Sequence, residues 1–426
     1  MNEIHCEVLI IGAGPAGLAA ARAAAARAAA ESGQAVRLLD DNPHPGGQIW
    51  RDGPQVRLPA LAREYRRAVE ELPNVTLHRG CRLVAQRGPG QLVYEDAAGC
   101  GVIGYRRLVL CCGARELLLP FPGWTLPGVT GAGGLQAQIK QGVPIAGERV
   151  AIAGSGPLLL AVTDSVVRGG GEVVLLAEQA SAARLAAFAA GLWRWPTKLR
   201  QACSLFNRRY RSGSHVLEAL GSRRLEAVRV RQGSGVRTIA CDRLACGFGL
   251  VANIEPAMLL GCRIVDDAVA VDGWQRTSLP QVYAAGECTG VGGSELSLVE
   301  GAIAGYAAAG EELRAEALMA QRDKWRRFAG AVARTFRLDP QLNSLATPET
   351  LLCRCEDVAI SQVAGQPDWG AAKLTSRCGM GACQGKICAA ATRQLFGWPL
   401  PTPRAPLTPV RTETLVSLGR GERDGQ

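Results

Sequence analysis

The chain opens with a strand, a glycine-rich turn and a helix: CEVLIIGAGPAGLAAARAAAARAAAESGQAVRLLDDN. Val8–Ile11 is a short apolar run that predicts a buried strand. Gly12, Gly14 and Gly17 follow at GxGxxG spacing, with Pro15 and Ala16 between the last two. The first glycine permits a tight turn, the second lets backbone approach a pyrophosphate, and the third lets the helix pack on the sheet. The helix then turns its free N–H groups toward the phosphates. Gly33 is expected to close that helix. Val36–Leu39 predicts a second strand that ends at Asp40, where an acceptor for ribose hydroxyls belongs, with Asp41 as the fallback. A lone GxGxxG is weak evidence. Strand, turn, helix and terminal acid in order commit the chain to an α/β fold with a parallel, dinucleotide-binding sheet.

Four later segments extend this pattern. PHPGGQIWR, residues 43–51, has Gly46 and Gly47 for close backbone approach and Gln48 as a hydrogen-bonding side chain. Placed straight after Asp40, it resembles the loop that covers a flavin in the glutathione-reductase-like superfamily. A second unit, VAIAGSGPLLLAVTDSVVRGGGEVVLLAEQ, starts at Arg149. Gly154 and Gly156 hold the first two glycine positions, Leu159 replaces the third, and Glu178 ends the following strand. Leu159 is expected to force the helix away from the sheet and to impair a nicotinamide site. A structural copy, or a site for another adenine nucleotide, remains open there. Residues 278–309 add a strand, Gly286 and the acid Glu287 before an Ala/Gly-rich helix. This resembles the late flavin motif of the same superfamily, with Glu in place of the usual Asp. RRLVLCCGARE, residues 106–116, resembles the segment where the chain leaves the flavin domain, and Gly113 is its key match. Cys111 and Cys112 are adjacent, and neither flavin-type segment carries C-x-x-C, so a redox disulfide of thioredoxin-reductase type is absent there. Cys111, Cys112, Cys203, Cys241, Cys246 and Cys262 are expected to be buried structural thiols.

The other end of the chain is rich in thiols. Cys353 and Cys355 form a C-x-C pair, and Cys378, Cys383 and Cys388 follow within TSRCGMGACQGKICAAA. Thiolates are the soft ligands that iron–sulfur clusters require. Gly379, Gly381 and Gly385 predict a tight, amide-rich loop, and a short helix is expected from about Ser361. Five candidates for four positions leave the ligand set ambiguous, and a zinc knuckle is the competing structure. Beyond Trp398, five prolines from Pro399 to Pro409 predict an extended arm lying on another subunit or domain.

Bulk properties narrow the function. The 426 residues, 47% hydrophobic, suffice for two or three cores. No apolar run is long enough to span a bilayer, since Arg22 and Arg27 interrupt the Ala-rich stretch, and Asn2–Cys6 leads straight into a strand. A cytoplasmic protein is expected, with peripheral membrane contact through an electron acceptor left open. Fifteen cysteines then point to metal binding or buried thiols and not to a disulfide framework. The net charge of +10 is carried by arginines in separate helical stretches such as Arg322–Arg337 and Arg208–Arg211, read as facing a protein partner. No stacking-aromatic module accompanies them, which argues against nucleic acid. The four histidines, His5, His44, His78 and His215, are scattered and offer no acid/base pair for substrate chemistry.

Taken together, GAGPAG (12–17), DDNPHPGGQIWR (40–51), GSGP (154–157), AAGE (284–287), CRCEDV (353–358) and GMGACQGKIC (379–388) resemble one family over nearly the whole chain. It comprises the flavoprotein alpha subunits of bacterial amine and amino-acid dehydrogenase complexes, such as those of opine oxidase and D-hydroxyproline dehydrogenase. The resemblance implies two Rossmann-like dinucleotide-binding domains of glutathione-reductase type and a small helical Cys-rich domain like bacterioferritin-associated ferredoxin. The expected division is 1–120 with 250–340 for FAD, 121–249 for the second nucleotide fold, 344–398 for a 2Fe–2S cluster, and 399–426 for the arm. By position, the resemblance makes Cys353, Cys355, Cys383 and Cys388 the cluster ligands and sets Cys378 aside, because Ala is more usual there. It further implies a hetero-oligomer with a substrate-oxidising flavoprotein beta subunit. Some such complexes add a small gamma ferredoxin-like subunit, and an FMN can sit at the interface. The expected role is that of an electron-transfer subunit. The alternative is a self-contained NAD(P)H-dependent flavin reductase with a ferredoxin-like tail.

Overall fold

The computed structural model describes residues 2–28, 35–54 and 56–423; Gly33 lies outside them. The first sheet is built from β1 (Asn2–Ile11), β2 (Val36–Asp40), β3 (Val75–Arg79), β4 (Arg82–Gly88), β5 (Gln91–Asp96) and β6 (Gly99–Leu110), with helix α1 (Pro15–Ala28) after β1. β3, β2, β1 and β6 lie side by side in parallel. β6 is long enough to serve two neighbours. Its first half pairs with β5 in the antiparallel meander β4–β5–β6, and its last residues, Leu108–Leu110, take the strand Val282–Ala284 in parallel. The late segment thus completes the sheet begun at the amino terminus. The end of β1, Val8–Ile11, is apolar without alternation because both its faces are covered: Val8 and Ile10 join the core under α1, while Leu9 joins the core on the opposite face.

The helix Gly293–Ala308 packs on α1 through small residues. A Cβ on Gly301 would lie 2.1 Å from the Ala16 carbonyl oxygen, and one on Gly305 would lie 2.3 Å from that of Ala20. The Ala/Gly composition of both helices is therefore the condition for their close approach. The two helices run in the same direction, with the start of α1 beside the middle of the later helix.

A second sheet repeats the plan. Tyr210–Arg211, Glu172–Glu178, Arg149–Gly154, Arg243–Gly247 and Val129–Gly131 lie in that order, all parallel. An antiparallel triplet, Ser214–Leu220, Ala227–Gln232 and Gly235–Ala240, accompanies it. Leu159, expected to hold its helix off the sheet, is instead buried in the core between them with Ile152 and Ala245. A Cβ on Gly247 would lie 3.0 Å from Leu159 Cδ2, so the missing helix glycine is offset by a glycine on the neighbouring strand.

The C-terminal module is small, helical and Cys-rich. A hairpin of Leu351–Cys353 with Val358–Ala359 precedes the helices Trp369–Ser376 and Cys388–Phe396. The helix expected from Ser361 is only a single tight turn, Ile360–Gln362; the helix proper starts at Trp369, where the Asp368 side chain accepts from Ala371 N at 2.9 Å. The module is fastened to its neighbours. Trp124 Nε1 donates to Leu351 O at 2.6 Å, Arg354 stacks 5.1 Å over the Trp124 ring, and Arg393 pairs with Asp267 at 3.1 Å. The proline-rich arm lies on the first sheet of the same chain, where Leu407 N donates to Val84 O at 2.9 Å and Val410 packs on the β4–β6 meander. It does not stay extended: it ends in the helix Thr412–Arg423. Among the described residues no helix is long and apolar enough to cross a membrane.

Candidate functional site

The glycines of the first turn have different jobs. Gly12 has φ +100°, and a Cβ there would meet Cys111 O at 2.3 Å; at Gly17 it would meet Gly12 O at 1.7 Å. Both are required by the fold itself. Gly14 is not: its nearest obstacle is Gly47 Cα at 3.9 Å. Gly14 and Gly47 face each other because Gly46 N donates to Ala13 O at 2.7 Å, which draws the PHPGG loop across the turn. Pro15 and Ala16 are buried in the first turn of α1. The buried Asp40 carboxylate accepts from Ala13 N and, at 2.8 Å, from Asn42 N, so the acid stands beside the turn at the end of β2. Asp41 is exposed next to it, and Gln48, also exposed, accepts from Arg51 Nη2 at 2.6 Å.

The other flavin-type segments reach the same edge. Gly113 (φ +65°) follows β6 and has open space on its Cβ side. Asn253 fixes it, donating from N to Gly113 O and from Nδ2 to Cys112 O, both at 2.9 Å. Gly286 (φ +78°) abuts Ala16, where a Cβ would fall 2.7 Å away. Glu287 is pushed upward by burial, and its Oε1 accepts from Gly293 N at 3.3 Å. Gly12–Gly17, Asp40, Gly47, Gly113 and Gly286 therefore gather at the carboxyl ends of the parallel strands, where this class of sheet binds its ligand. The chemistry fits a dinucleotide: a backbone face with no side chain at Gly14 and Gly47, a helix N-terminus for phosphates, and a carboxylate for a ribose.

Sequence reasoning missed Glu300. It is 2% exposed in the middle of the Gly293–Ala308 helix and accepts from Gly286 N at 3.3 Å, Thr289 Oγ1 at 3.2 Å and Arg326 Nη2 at 2.9 Å. Burial raises its pKa, against the pull of Arg326. An acid in the middle of an Ala/Gly-rich helix, beyond Glu295 in its first turn, is the available signal. Arg322 also turns inward, donating to Gly273 O at 2.5 Å. These two arginines of the 322–337 stretch thus bond to other parts of the same chain.

At the second turn the chain covers itself. Glu178 is fully buried, accepting from Gly156 N and Ala180 N at 2.8 Å each, and burial lifts its pKa to about 7. Gly154 (φ +145°) would strike Gly247 O at 1.9 Å if it carried a Cβ. Over Gly156 lies the segment Phe336–Asp339. Ser155 Oγ donates to Phe336 O at 2.7 Å, Gln179 Nε2 donates to Arg337 O at 3.0 Å, and Asp339 N donates to Gln179 Oε1 at 3.0 Å. Phe336 stacks edge-on to Phe188 at 5.6 Å. What sets the second turn apart from the first is that Ser155 and Gln179 beside it are engaged by Phe336–Asp339.

All five C-terminal cysteines converge. The Sγ atoms of Cys353, Cys378 and Cys388 lie within 4.8 Å of one another, all buried. Cys355 Sγ and Cys383 Sγ are 3.9 Å apart on the more exposed side. The glycines of the loop are steric requirements: a Cβ on Gly379 or Gly385 would enter the Trp369 ring at 2.5 and 2.7 Å, and one on Gly381 would meet Cys355 Cβ at 2.2 Å. Two thiolates on one tetrahedral metal sit about 3.8 Å apart at metal–sulfur bonds of about 2.3 Å, so the donor set fits a thiolate-held metal centre. The centre is joined to the first site. Arg115, two residues past Gly113, donates from Nε to Lys386 O at 3.1 Å and pairs with Glu255 at 2.9 Å.

Elsewhere, Cys111, Cys241 and Cys246 are buried, and burial raises all three thiols; Cys262 is likewise buried and raised. Cys112 is partly exposed, and Cys203 is exposed on an amphipathic helix, so the expectation of a buried structural thiol fails at Cys203. His215 is buried and His78 lies 2.9 Å from Arg37 Nη1, consistent with packing roles.

The comparisons agree with this architecture. Residues 6–309 match the model of the pyridine nucleotide-disulphide oxidoreductase family. The hydrogen cyanide synthase protein HcnB of Pseudomonas aeruginosa is 30% identical over 96% of this chain and 98% of its own length. An opine oxidase subunit of Agrobacterium tumefaciens is 30% identical over 92% of this chain and 85% of its own. Among solved structures, L-proline dehydrogenase from P. horikoshii superposes with TM-score 0.65 at 18% identity, over 97% of this chain and 80% of that one. Thioredoxin reductase of T. acidophilum superposes with TM-score 0.54 at 18% identity, over 72% of this chain and 99% of that one. This chain belongs to the pyridine nucleotide-disulphide oxidoreductase family, as an oxidoreductase of flavoprotein type whose relatives include HcnB and the opine oxidase subunit.

Proposed function

We propose that this chain is the FAD- and 2Fe–2S-holding electron-transfer subunit of a multi-subunit amino-acid or imino-acid dehydrogenase of opine or D-hydroxyproline type. Its substrate is oxidised on a partner flavoprotein subunit. The observation that carries this reading is the Arg115–Lys386 contact, which seats the thiol loop against the segment that follows Gly113. FAD, when bound, supplies exchange between two-electron and one-electron steps, and a 2Fe–2S cluster supplies single-electron carriage.

The chain's own residues do the holding. Gly14 and Gly47 leave backbone bare for the pyrophosphate, the α1 N–H groups face it, and Asp40 takes the ribose hydroxyls. Arg115 fixes the loop between Cys383 and Cys388 relative to Gly113, with its charge balanced by Glu255. Cys355 and Cys383 form the outer edge of the metal site, toward an acceptor. The scattered histidines leave proton abstraction to the partner. An FMN at the interface, and a small ferredoxin-like subunit, belong to the assembled complex.

The self-contained NAD(P)H reductase reading is disfavoured by Phe336–Asp339, which lies over the second glycine turn. The test is a pair of anaerobic titrations. NADH added to the isolated chain is expected to leave its flavin oxidised. Proline, hydroxyproline or an opine added to the chain co-purified with its partner is expected to bleach it. Rapid bleaching by NADH alone would overturn the proposal in favour of the reductase.

A further inference from the structure

A 2Fe–2S cluster takes four thiolates, two on each iron, and this module brings five to one place. The outer pair, Cys355 and Cys383, is already at the spacing that two ligands of one metal adopt. The second iron therefore faces three buried thiols, Cys353, Cys378 and Cys388, for two positions. Cys378 is no stray in this trio. It is 0% exposed, against 2% for each of the other two. The turn that carries it is pinned: Arg377, in left-handed conformation at φ +65°, donates to Glu356 Oε2 at 3.0 Å, so the turn is tied to the residue beside Cys355. Cys378 N donates to Ser376 Oγ at 3.2 Å. The first contact thus ties this turn to the segment that carries Cys355, and the second braces the turn itself.

We infer that Cys378 is a reserve ligand of the inner iron, able to take the place of Cys353 or Cys388, while the outer iron has no such reserve. This rests on the cluster reading above. It assigns a role to a residue that the family resemblance leaves out of the ligand set. The physical basis is proximity: a thiol held within 4.8 Å of both inner ligands needs only a rotamer change or a small loop shift to reach the metal.

Iron content and the electron paramagnetic resonance of the dithionite-reduced protein, prepared anaerobically, test it in the full chain. Wild type is expected to hold about two irons per chain. C388S and C353S are each expected to keep at least about half of that iron, with shifted g values that report a changed ligand set. C388S/C378S is expected to fall below about a tenth, as are C355S and C383S singly. C378S alone is expected to keep its iron and the wild-type signal. Loss of iron from C388S and C353S to the level of C355S would overturn the reserve role while leaving the cluster reading intact. Loss from C378S alone would overturn it too, by making Cys378 an obligatory ligand. Wild type without iron would overturn both.

Discussion

The Ser155 hydroxyl donates a 2.7 Å hydrogen bond to the Phe336 carbonyl, joining residues 181 apart in the chain directly above the second glycine turn. Gln179 adds bonds to Arg337 and Asp339 on the same segment. A dinucleotide entering there must break all three bonds and move the Phe336 ring off Phe188. Calorimetric titration of the purified chain with NADH or NADPH is expected to show no saturable binding up to about 1 mM, a free energy of about −4 kcal/mol. Micromolar binding would show that the segment opens.

The glycines of the first turn predict a split between folding and cofactor loss. Gly14→Ala adds a methyl group into free space beside Gly47 and is expected to change stability by no more than about 0.5 kcal/mol. Its flavin affinity is expected to fall about tenfold or more, since the methyl occupies the pyrophosphate path. Gly17→Ala drives a methyl group into the Gly12 carbonyl and is expected to cost about 3 kcal/mol or to abolish soluble expression. Chemical denaturation read beside flavin absorbance separates the two outcomes. Equal damage from both would contradict the assignment of Gly14.

Glu300 and Arg326 tie the helix Met319–Thr335 to the late flavin-type turn through a nearly buried carboxylate. Arg326→Ala leaves that charge without its partner and is expected to cost about 2 kcal/mol. Glu300→Gln together with Arg326→Ala is expected to recover part of the loss, because no unpaired charge then remains. Urea unfolding of the single and double variants measures this. A double variant less stable than Arg326→Ala would contradict the account.

Glu178 predicts a pH dependence. Burial raises its pKa from 4.5 to about 7 despite two backbone N–H donors. The folded chain therefore binds a proton that the unfolded chain releases between those values. This contribution to stability is fully present below about 4.5 and is lost as pH rises through about 7. Glu178→Gln is expected to flatten the slope of stability against pH over that window, whatever its absolute effect. Parallel slopes for the variant and wild type would refute the assignment.

Much of this was legible in the residues because the controlling interactions are local. GAGPAG fixes a strand, a turn and a helix within a few positions, and the C-x-C and C-x4-C groups announce a thiolate centre. What escaped depends on partners far apart in sequence. Leu159 reads as a defect until Gly247, on a neighbouring strand, is seen to make room for it. The cover over the second turn comes from Phe336, which carries no motif. Glu300 stands out in its Ala/Gly-rich helix, but only packing places Arg326 beside it. The helix Thr412–Arg423 follows a proline-rich stretch that suggests extension, and its Thr414 hydroxyl donates to Glu95 in the amino-terminal meander. Cys203 reads as a buried structural thiol in the sequence, whereas the face of its helix decides its exposure.

The central claim is that one chain carries both a flavin at its amino-terminal turn and iron at its carboxy-terminal thiols. Anaerobic purification followed by quantitative flavin, iron and acid-labile sulfide analysis tests it most directly. The account predicts FAD together with about two irons and about two sulfides per chain. A colourless protein without iron, or one holding zinc on the same thiols, would contradict it.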